Sequence, residues 1–207
     1  MYGKNYFNWQ SSYGDFGSLV DQEKFADYLD KNTKVLEFGC GGGYLLSKLN
    51  AKERIGIEIN PSARAIATKN GLNTVPTFNK IKDNWADVII SNHALEHCTH
   101  PLTELKNLYK KLKKNGTIVF VTPHERNNRY VENDVNQHLY TWSELNLANL
   151  FKLAGYKIIS VETRKTAWPP FYRQIYSIFG QKTFSLIAGI WGRIFSPMWE
   201  VRIIAKK

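Results

Sequence analysis

The sequence has few cysteines and no long hydrophobic run. Its two cysteines, Cys40 and Cys98, lie far apart in a chain of 207 residues, so they predict neither a disulfide framework nor a metal site. The longest uncharged stretch near the C-terminus, Thr183 to Gly192, is too short to cross a bilayer. Met1–Asn8 lacks the apolar segment and cleavage site of a signal peptide. These absences predict a cytoplasmic protein without a metal.

The length and composition predict one folded domain. A chain of 207 residues is long enough to bury a single core, and its contents of 43% hydrophobic and 22% charged residues are typical of a globular protein. The net charge is +10. This charge has two explanations: an anionic partner, such as nucleic acid, a sugar phosphate or a membrane surface, or simply a solvated, lysine-rich surface. The basic residues are scattered and form no single tract.

The most informative stretch is a short apolar run that leads into alternating glycines. Val35 to Phe38 is predicted to be a buried strand of a parallel sheet. Gly39, Gly41 and Gly43 follow, and a helical pattern begins at Tyr44. A strand, a glycine turn and a helix place backbone N–H groups around a hollow at the carboxyl edge of a sheet. The stretch therefore predicts a binding site for a ligand with a polar or charged end.

Two carboxylates narrow the class of ligand. A dinucleotide-binding loop requires a third glycine where this chain has Tyr44, which disfavours a dehydrogenase. Glu37 lies two residues before Gly39, where it would repel a pyrophosphate but suit an ammonium group. Glu58 ends the next predicted strand, where an acid commonly binds ribose hydroxyls. An ammonium group and a ribose together describe S-adenosylmethionine, which is the predicted cofactor, with S-adenosylhomocysteine as its product.

These motifs resemble those of class I S-adenosylmethionine-dependent methyltransferases of the small-molecule branch, which includes the methyltransferase domain 11-like and quinone-biosynthesis enzymes. The resemblance covers about residues 33 to 163 and rests on five segments: Val35–Gly43, Glu58, Asp87–His97, Leu112–Thr122 and Gln137–Trp142. It implies an α/β fold, a Rossmann-like three-layer sandwich. The sheet would have seven mostly parallel strands, with the last strand antiparallel between strands five and six.

The resemblance also implies how the single domain, residues 1–207, is arranged. Residues 1–30 would form a lid and a helix, with Tyr6 or Tyr13 as the expected pocket contact; a permanently packed arm is the alternative. Residues 165–198 would be a helical insertion before the final strand, residues 199–207. Its second helical stretch, Phe184 to Phe195, is apolar nearly all round, so it must be buried in something. A substrate cap, a homodimer contact and a membrane-surface anchor through 171–198 all remain open.

Capping signals set the expected ends of several elements. Asn60 and Pro61 are typical of a helix start, and Thr141 or Ser143 is expected to cap a helix that ends at Leu153. The pattern also predicts a helix over Leu19–Leu29 and a long helix from Pro101 to Lys114, closed by Asn115 and Gly116. Residues 125–137 are expected to form a polar loop.

Site residues follow from the motifs and from the resemblance. His93 is expected just past the fourth strand, where ligands bind in open sheets, and His138 follows the polar loop; both are predicted catalytic residues, although His93 could instead be a hydrogen-bonded polar residue. The resemblance implies that Thr77 and Phe78 line the adenine, with Asp83 as an alternative. The predicted cofactor-binding residues are Glu37, Gly39, Cys40, Gly41, Gly43, Glu58, Ile59, Thr77, Phe78 and Asn92.

The predicted activity is O-methylation of a small molecule such as a sugar, a polysaccharide precursor, a quinone or another secondary metabolite. A nucleic-acid or protein methyltransferase that uses the basic surface is one alternative. The segment from Asn92 to Leu95 lacks an Asn-Pro-Pro-Tyr-like clamp for a flipped base, so a nucleic-acid partner is disfavoured. A non-catalytic cofactor-binding module is the other alternative. The protein is expected in the cytoplasm, with membrane association on the cytoplasmic face left open.

Overall fold

The computed structural model describes residues 14–125, 130–165, 167–195 and 199–207. The expected pocket contacts Tyr6 and Tyr13 lie outside these ranges. Within them, seven strands form one sheet: β1 Lys34–Phe38, β2 Glu53–Ile57, β3 Asn73–Val75, β4 Ala86–Asn92, β5 Leu112–Pro123, β6 Lys157–Lys165 and β7 Trp199–Lys206. The strand order is β3-β2-β1-β4-β5-β7-β6. Strand β7 is antiparallel to both neighbours and the other pairs are parallel, which confirms the predicted fold.

Helices cover both faces of the sheet. Residues 14–21 are helical, and the later helices are α1 Glu23–Ala26, α2 Tyr44–Lys48, α3 Pro61–Lys69, α4 Pro101–Lys111, α5 Glu144–Leu153 and α6 Tyr172–Ile194. Short 3₁₀ turns span Phe78–Lys80 and Leu95–His97. The expected helix over Leu19–Leu29 is therefore wrong in detail. Two shorter helical segments replace it: the first begins at residue 14, and the second ends at Ala26.

The period-two alternation of the strands divides the core into two layers. Leu36, Ile89 and Phe120 face α4 and α5, where they pack with residues such as Leu108 and Phe151. The intervening strand residues face α1, α2 and α3 in a second cluster, which contains Val35, Ile90, Val119, Phe25, Leu46 and Ala67. The sheet is therefore buried on both faces, as in a three-layer sandwich.

The capping signals at two helices are confirmed. The side chain of Asn60 accepts a hydrogen bond from the Ser62 N–H, with Pro61 in the first turn of α3. Ser143, not Thr141, caps α5: its side chain accepts a hydrogen bond from the Asn146 N–H, and its own backbone N–H donates to the Asn146 side chain. Both caps satisfy N–H groups that have no partner within the helix.

The predicted end of α4 is wrong. The helix stops at Lys111, and Leu112 already pairs with Ala86 as the start of β5. The pairing then jumps to Val88 opposite Thr117, so the intervening residues form an irregularity in the strand. Asn115, which has φ 65°, and Gly116 lie in this irregularity and do not close the helix.

The insertion before β7 packs on the N-terminal helical segment. Phe16 is buried against a group of aromatic side chains from the insertion: Trp168, Tyr172, Tyr176 and Phe184. Helix α6 is broken at Gly180, whose φ of 72° is available to glycine at little cost. None of the helices in the described ranges combines the length and apolarity that a bilayer crossing requires.

Candidate functional site

A cavity of about 1440 Å³ opens at the carboxyl edge of the sheet. The glycine loop after β1 and the end of β4 form its floor, and the 14–21 segment covers it from one side. Trp168, Ser185 and Ala188 of the insertion, which packs on this segment, also line the cavity. The cavity therefore lies where ligands bind in open α/β sheets, at the point where the strand order reverses.

The glycine loop is held tightly against its neighbours. Gly39 and Gly43 have φ of +72° and +74°, which favour glycine. A Cβ atom on Gly39 would lie 2.3 Å from the Cβ of Ala94, and one on Gly43 would lie 2.2 Å from Cδ1 of Leu72. Gly43 therefore packs against the structure behind the loop, whereas Gly39, Cys40 and Gly41 line the cavity.

Glu37 is a buried carboxylate that faces this cavity. It is 3% exposed, and its Oε2 has no hydrogen-bond partner among the described residues. Burial, together with the nearby charge of Glu58, raises the pKa of Glu37 to about 8, although the Leu46 backbone N–H opposes this shift. A buried carboxylate without a partner is costly unless a cation neutralises it. The site is therefore suited to an ammonium group.

Glu58 holds the glycine loop in place. It follows β2 directly, and its two carboxylate oxygens accept hydrogen bonds from the Gly41 N–H at 2.9 Å and the Asn60 N–H at 2.7 Å. Its side chain thus ties the loop to the start of α3. Glu58 is not among the residues that line the main cavity, so its proposed contact with ribose hydroxyls stays a prediction.

The other predicted adenosine contacts also lie away from the cavity wall. Ile59 is 84% exposed, Thr77 is exposed, and Phe78 is stacked on Phe38 with ring centroids 6.0 Å apart. Their contact with the adenosine half stays a prediction. Asp83 forms an ion pair with Lys111 at 2.6 Å near the start of β4, at the opposite edge of the sheet, so it is not placed for adenine.

An ion-pair network joins the N-terminal segment to the ends of two strands. Lys24 Nζ lies 2.9 Å from Asp21 and 2.7 Å from Glu200, and Glu200 lies 2.9 Å from Nε2 of His93. The Asn92 side-chain amide donates to Asp21 at 3.0 Å. Burial disfavours the charged forms of Lys24 and Glu200. The attraction between these opposite charges outweighs burial, so the pKa of Lys24 is raised and that of Glu200 is lowered. The network fixes the cavity wall around His93.

His93 occupies a constrained position at the end of β4. Its φ is 54°, and its backbone N–H donates to the Val121 carbonyl at 2.9 Å. The side chain is half-buried and lines the cavity. Although burial disfavours its charged form, the hydrogen bond and charge of Glu200 raise the pKa of His93. The neutral ring is consequently a stronger proton acceptor than a free histidine.

Two further histidines lie beside His93 in the cavity. The rings of His97 and His138 are 4.9 Å apart, and Nδ1 of His138 lies 2.8 Å from Oε1 of Glu125. Burial, together with the nearby His138 and His93, lowers the pKa of His97 to about 4. Glu96, between His93 and His97, is fully buried.

The structure thus brings together most of the predicted site. Glu37, Gly39, Cys40, Gly41, Asn92, His93 and His138 line one cavity. Sequence reasoning missed Asp21, Lys24 and Glu200. Only Glu200, an acid at the start of a mainly apolar strand, gave a signal that pattern reading could have used. The helix residues Asp21 and Lys24 are ordinary surface residues by sequence.

A family model described as a methyltransferase domain matches residues 18–161, well over half of the chain. Solved structures confirm the fold. The chain matches a possible histamine N-methyltransferase from Thermotoga maritima with a TM-score of 0.69 and 18% identity, covering 98% of this chain and 95% of that one. It also matches an S-adenosylmethionine-dependent methyltransferase from Archaeoglobus fulgidus with a TM-score of 0.67 and 17% identity, covering 98% and 99%.

Curated relatives differ in their acceptors. A ubiquinone biosynthesis O-methyltransferase from Rickettsia canadensis is 26% identical over 70% of this chain and 71% of its own length. A malonyl-[acyl-carrier protein] O-methyltransferase from Marinomonas is 28% identical over 54% of this chain. A ribosomal protein L11 methyltransferase from Pasteurella multocida is 36% identical over 46% of this chain. The matches span only 46% and 36% of the last two relatives.

Proposed function

Because this chain belongs to the class I S-adenosylmethionine-dependent methyltransferase family, we propose that it methylates an oxygen atom of a small molecule. The acceptor classes that fit are a sugar, a polysaccharide precursor, a quinone or another secondary metabolite. S-adenosylmethionine is the cofactor of the family. The observation that carries the oxygen-directed part of the proposal is the position of His93 beside the glycine loop, within the same cavity.

The chain's own residues fit this cofactor. The unpartnered, buried Oε2 of Glu37 would hold the ammonium group. Gly39, where a Cβ would clash with Ala94, lets the glycine loop lie at the cavity wall. Glu58, with both oxygens turned to backbone N–H groups beside the loop, would hold the ribose. Cys40, Gly41 and Asn92 complete the predicted binding surface. When bound, S-adenosylmethionine supplies a methyl group that its positively charged sulfur activates for displacement.

The protein's catalytic contribution is orientation and proton acceptance. Holding two reactants in line can lower a barrier by about 7–11 kcal/mol. His93 would accept the proton of the acceptor hydroxyl, with Glu200 fixing its ring through the 2.9 Å contact at Nε2. His138 would contact the acceptor on the other side. The 14–21 segment and the insertion would exclude water from the cavity.

The charge of the cavity disfavours nucleic acid as the acceptor. Its lining includes seven acidic residues and only three basic ones: Asp21, Glu23, Asp27, Glu37, Glu96, Glu125 and Glu200 against Lys24, Arg164 and Arg202. A nucleic-acid backbone requires a positive surface along its path. The basic excess of the chain therefore lies elsewhere, and the cavity favours a neutral or cationic acceptor.

Transfer of a labelled methyl group distinguishes the candidate functions. We expect the purified protein, given methyl-labelled S-adenosylmethionine, to transfer label to hydroxylated small molecules in a panel of phenols, quinols and sugars. The product should be a methyl ether, identified by mass spectrometry. The same assay is run with RNA and with protein as acceptors. Transfer of label only to RNA or only to protein would contradict the proposal. Binding of the cofactor with no transfer to any acceptor would instead favour the non-catalytic module.

The insertion offers a second surface, for which we propose an anionic membrane as the partner. Leu186, Ile190 and Ile194 form an exposed stripe on α6, opposite the buried stripe of Phe184 and Ala188. Residues 167–195 carry three basic residues and no acidic residue. An exposed apolar stripe with flanking cations is typical of a helix that lies in an anionic lipid surface. Across a homodimer the same cations would face one another and repel.

Vesicle flotation tests this surface. We expect the protein to float with phosphatidylserine-containing vesicles and much less with neutral phosphatidylcholine vesicles. Ile190→Asp should reduce binding by about tenfold, because the apolar contact is lost and a like charge is introduced. Leu145→Asp, at an exposed leucine of α5, is the matched control and should bind like the wild type. If the protein does not float and light scattering measures a dimer, the membrane proposal is wrong and the stripe instead contacts a second copy of this chain.

A further inference from the structure

Three side chains from two distant segments meet at the cavity wall beside His93. Glu96 and His97 lie in the 3₁₀ turn after β4, and His138 follows the polar loop. One ligand atom from each lies within 4.8 Å of the other two. All three residues line the cavity. Two imidazoles and one carboxylate are a donor set that suits first-row divalent metal ions.

The environment of Glu96 independently indicates that a cation binds here. Its side chain is fully buried, and neither carboxylate oxygen has a hydrogen-bond partner among the described residues. Its Oε1 lies 3.7 Å from Nδ1 of His93 and 3.8 Å from Nε2 of His97, too far for hydrogen bonds. Metal–ligand bonds of about 2.0–2.2 Å allow two ligands of one ion to lie up to about 4.4 Å apart. A cation between Glu96 and His97 would satisfy the buried carboxylate.

The segment that carries His138 is fixed to Glu96 by its backbone. The N–H groups of Leu139 and Tyr140 both donate to the Glu96 carbonyl, at 2.9 and 3.3 Å. The Nδ1 atom of His138 is already engaged by Glu125 at 2.8 Å, so Nε2 is the nitrogen that can bind a metal. A carboxylate on the second ring nitrogen is the usual partner of a metal-ligating histidine.

We infer that Glu96, His97 and His138 form a binding site for one first-row divalent transition-metal ion, such as Mn²⁺, Co²⁺ or Zn²⁺. Three protein ligands leave coordination positions open, and the cavity is the space into which these positions can face. An acceptor oxygen bound there would lose its proton more readily, because a cation lowers the pKa of a bound hydroxyl. This role in catalysis rests on the proposed function, whereas metal binding itself does not.

Titration of the metal-free protein with Co²⁺ tests the site. We expect one ion per chain, detected by ligand-field absorption in the visible range, and the same stoichiometry for Mn²⁺ by calorimetry. Glu96→Gln and His138→Asn should each weaken binding by at least about tenfold, because each removes a ligand. His100→Asn, at a neighbouring histidine that does not line the cavity, is the matched control and should bind as the wild type does.

Several outcomes separate this inference from the proposed function. Absence of stoichiometric Co²⁺, Mn²⁺ or Zn²⁺ binding by the wild type would overturn the site, as would unchanged affinity in Glu96→Gln. If Glu96→Gln does not fold by circular dichroism, Glu125→Gln should still weaken binding about 10–100-fold by freeing His138; unchanged affinity there would also overturn the site. Metal binding without methyl transfer would uphold the site and refute the proposed function. Full methyl transfer in a protein that binds no metal would refute the site and uphold the proposed function.

Discussion

Glu37→Ala is expected to lower the affinity for S-adenosylmethionine by at least about 100-fold in isothermal titration calorimetry. The reason is that Glu37 is the buried acid proposed to pair with the ammonium group of the cofactor. Loss of one partner from a buried ion pair typically costs about 3–5 kcal/mol, which corresponds to a factor of about 100 to 1,000 or more. Glu37→Gln, which keeps the shape but removes the charge, should lose a similar amount.

Glu53→Ala is the matched control for this experiment. Glu53 is an acid at the start of β2, where it pairs with Lys34 at 2.7 Å on the sheet edge away from the cavity. Its removal should leave cofactor affinity unchanged within about twofold, since an exposed ion pair contributes little. Unchanged affinity in Glu37→Ala would show that the ammonium group binds elsewhere.

The raised pKa of Glu37 adds a pH dependence to the same prediction. Because this pKa is about 8, the carboxyl of the free protein is protonated at pH 7, and binding of a cation must release the proton. The affinity should therefore rise with pH up to about 8 and then level off. Calorimetry in two buffers of different ionisation enthalpy should detect proton release at pH 7 in the wild type and none in Glu37→Gln.

The same shift affects stability in the opposite direction. The folded-state pKa of Glu37 lies above its ordinary value, so the folded protein binds the extra proton between the two values. Its contribution to stability is present at pH 4 and is lost as pH rises through 8. The thermal midpoint of the cofactor-free protein should decline over this range more steeply in the wild type than in Glu37→Gln. Equal slopes would show that Glu37 titrates normally.

His93→Ala is expected to lower the rate of methyl transfer by about 100- to 10,000-fold, the usual contribution of a general base. Its ring lines the cavity beside the glycine loop but is not among the groups proposed to hold the cofactor. Cofactor affinity should therefore change by no more than a few-fold. The measurement is single-turnover methyl transfer at saturating cofactor, with the accepting small molecule identified by the labelling panel.

His100→Ala is the control for histidine removal, because His100 is exposed and lies outside the cavity. Glu200→Gln separates a positioning role from a catalytic one: it keeps His93 but weakens the contact at Nε2, so it should lower the rate less than His93→Ala does. Full activity in His93→Ala would remove His93 as the proton acceptor and leave acceptor orientation as the main source of catalysis.

The local patterns were sufficient to predict the sheet and the glycine loop at its carboxyl edge. A strand that is buried on both faces reads as a continuous apolar run, and a loop that needs positive φ at Gly39, Gly41 and Gly43 requires glycine there. Both constraints act over a few neighbouring residues, so they leave a direct trace in sequence. The cap at Asn60 was predictable for the same reason. The end of α4 was not, because its lysine-rich tail is compatible with either a helix or a strand.

By itself, the sequence determined the sheet, the glycine loop and Glu37, because each depends on bonds and packing between close neighbours along the chain. Only the tertiary structure decided which side chains lie together around His93 and His138. Lys24, His93 and Glu200 come from three separate elements. His138 is held near Glu96, more than forty residues away in sequence, by the backbone hydrogen bonds of Leu139 and Tyr140. Such contacts have no fixed spacing, because they form only after the sheet brings β4, β5 and β7 together.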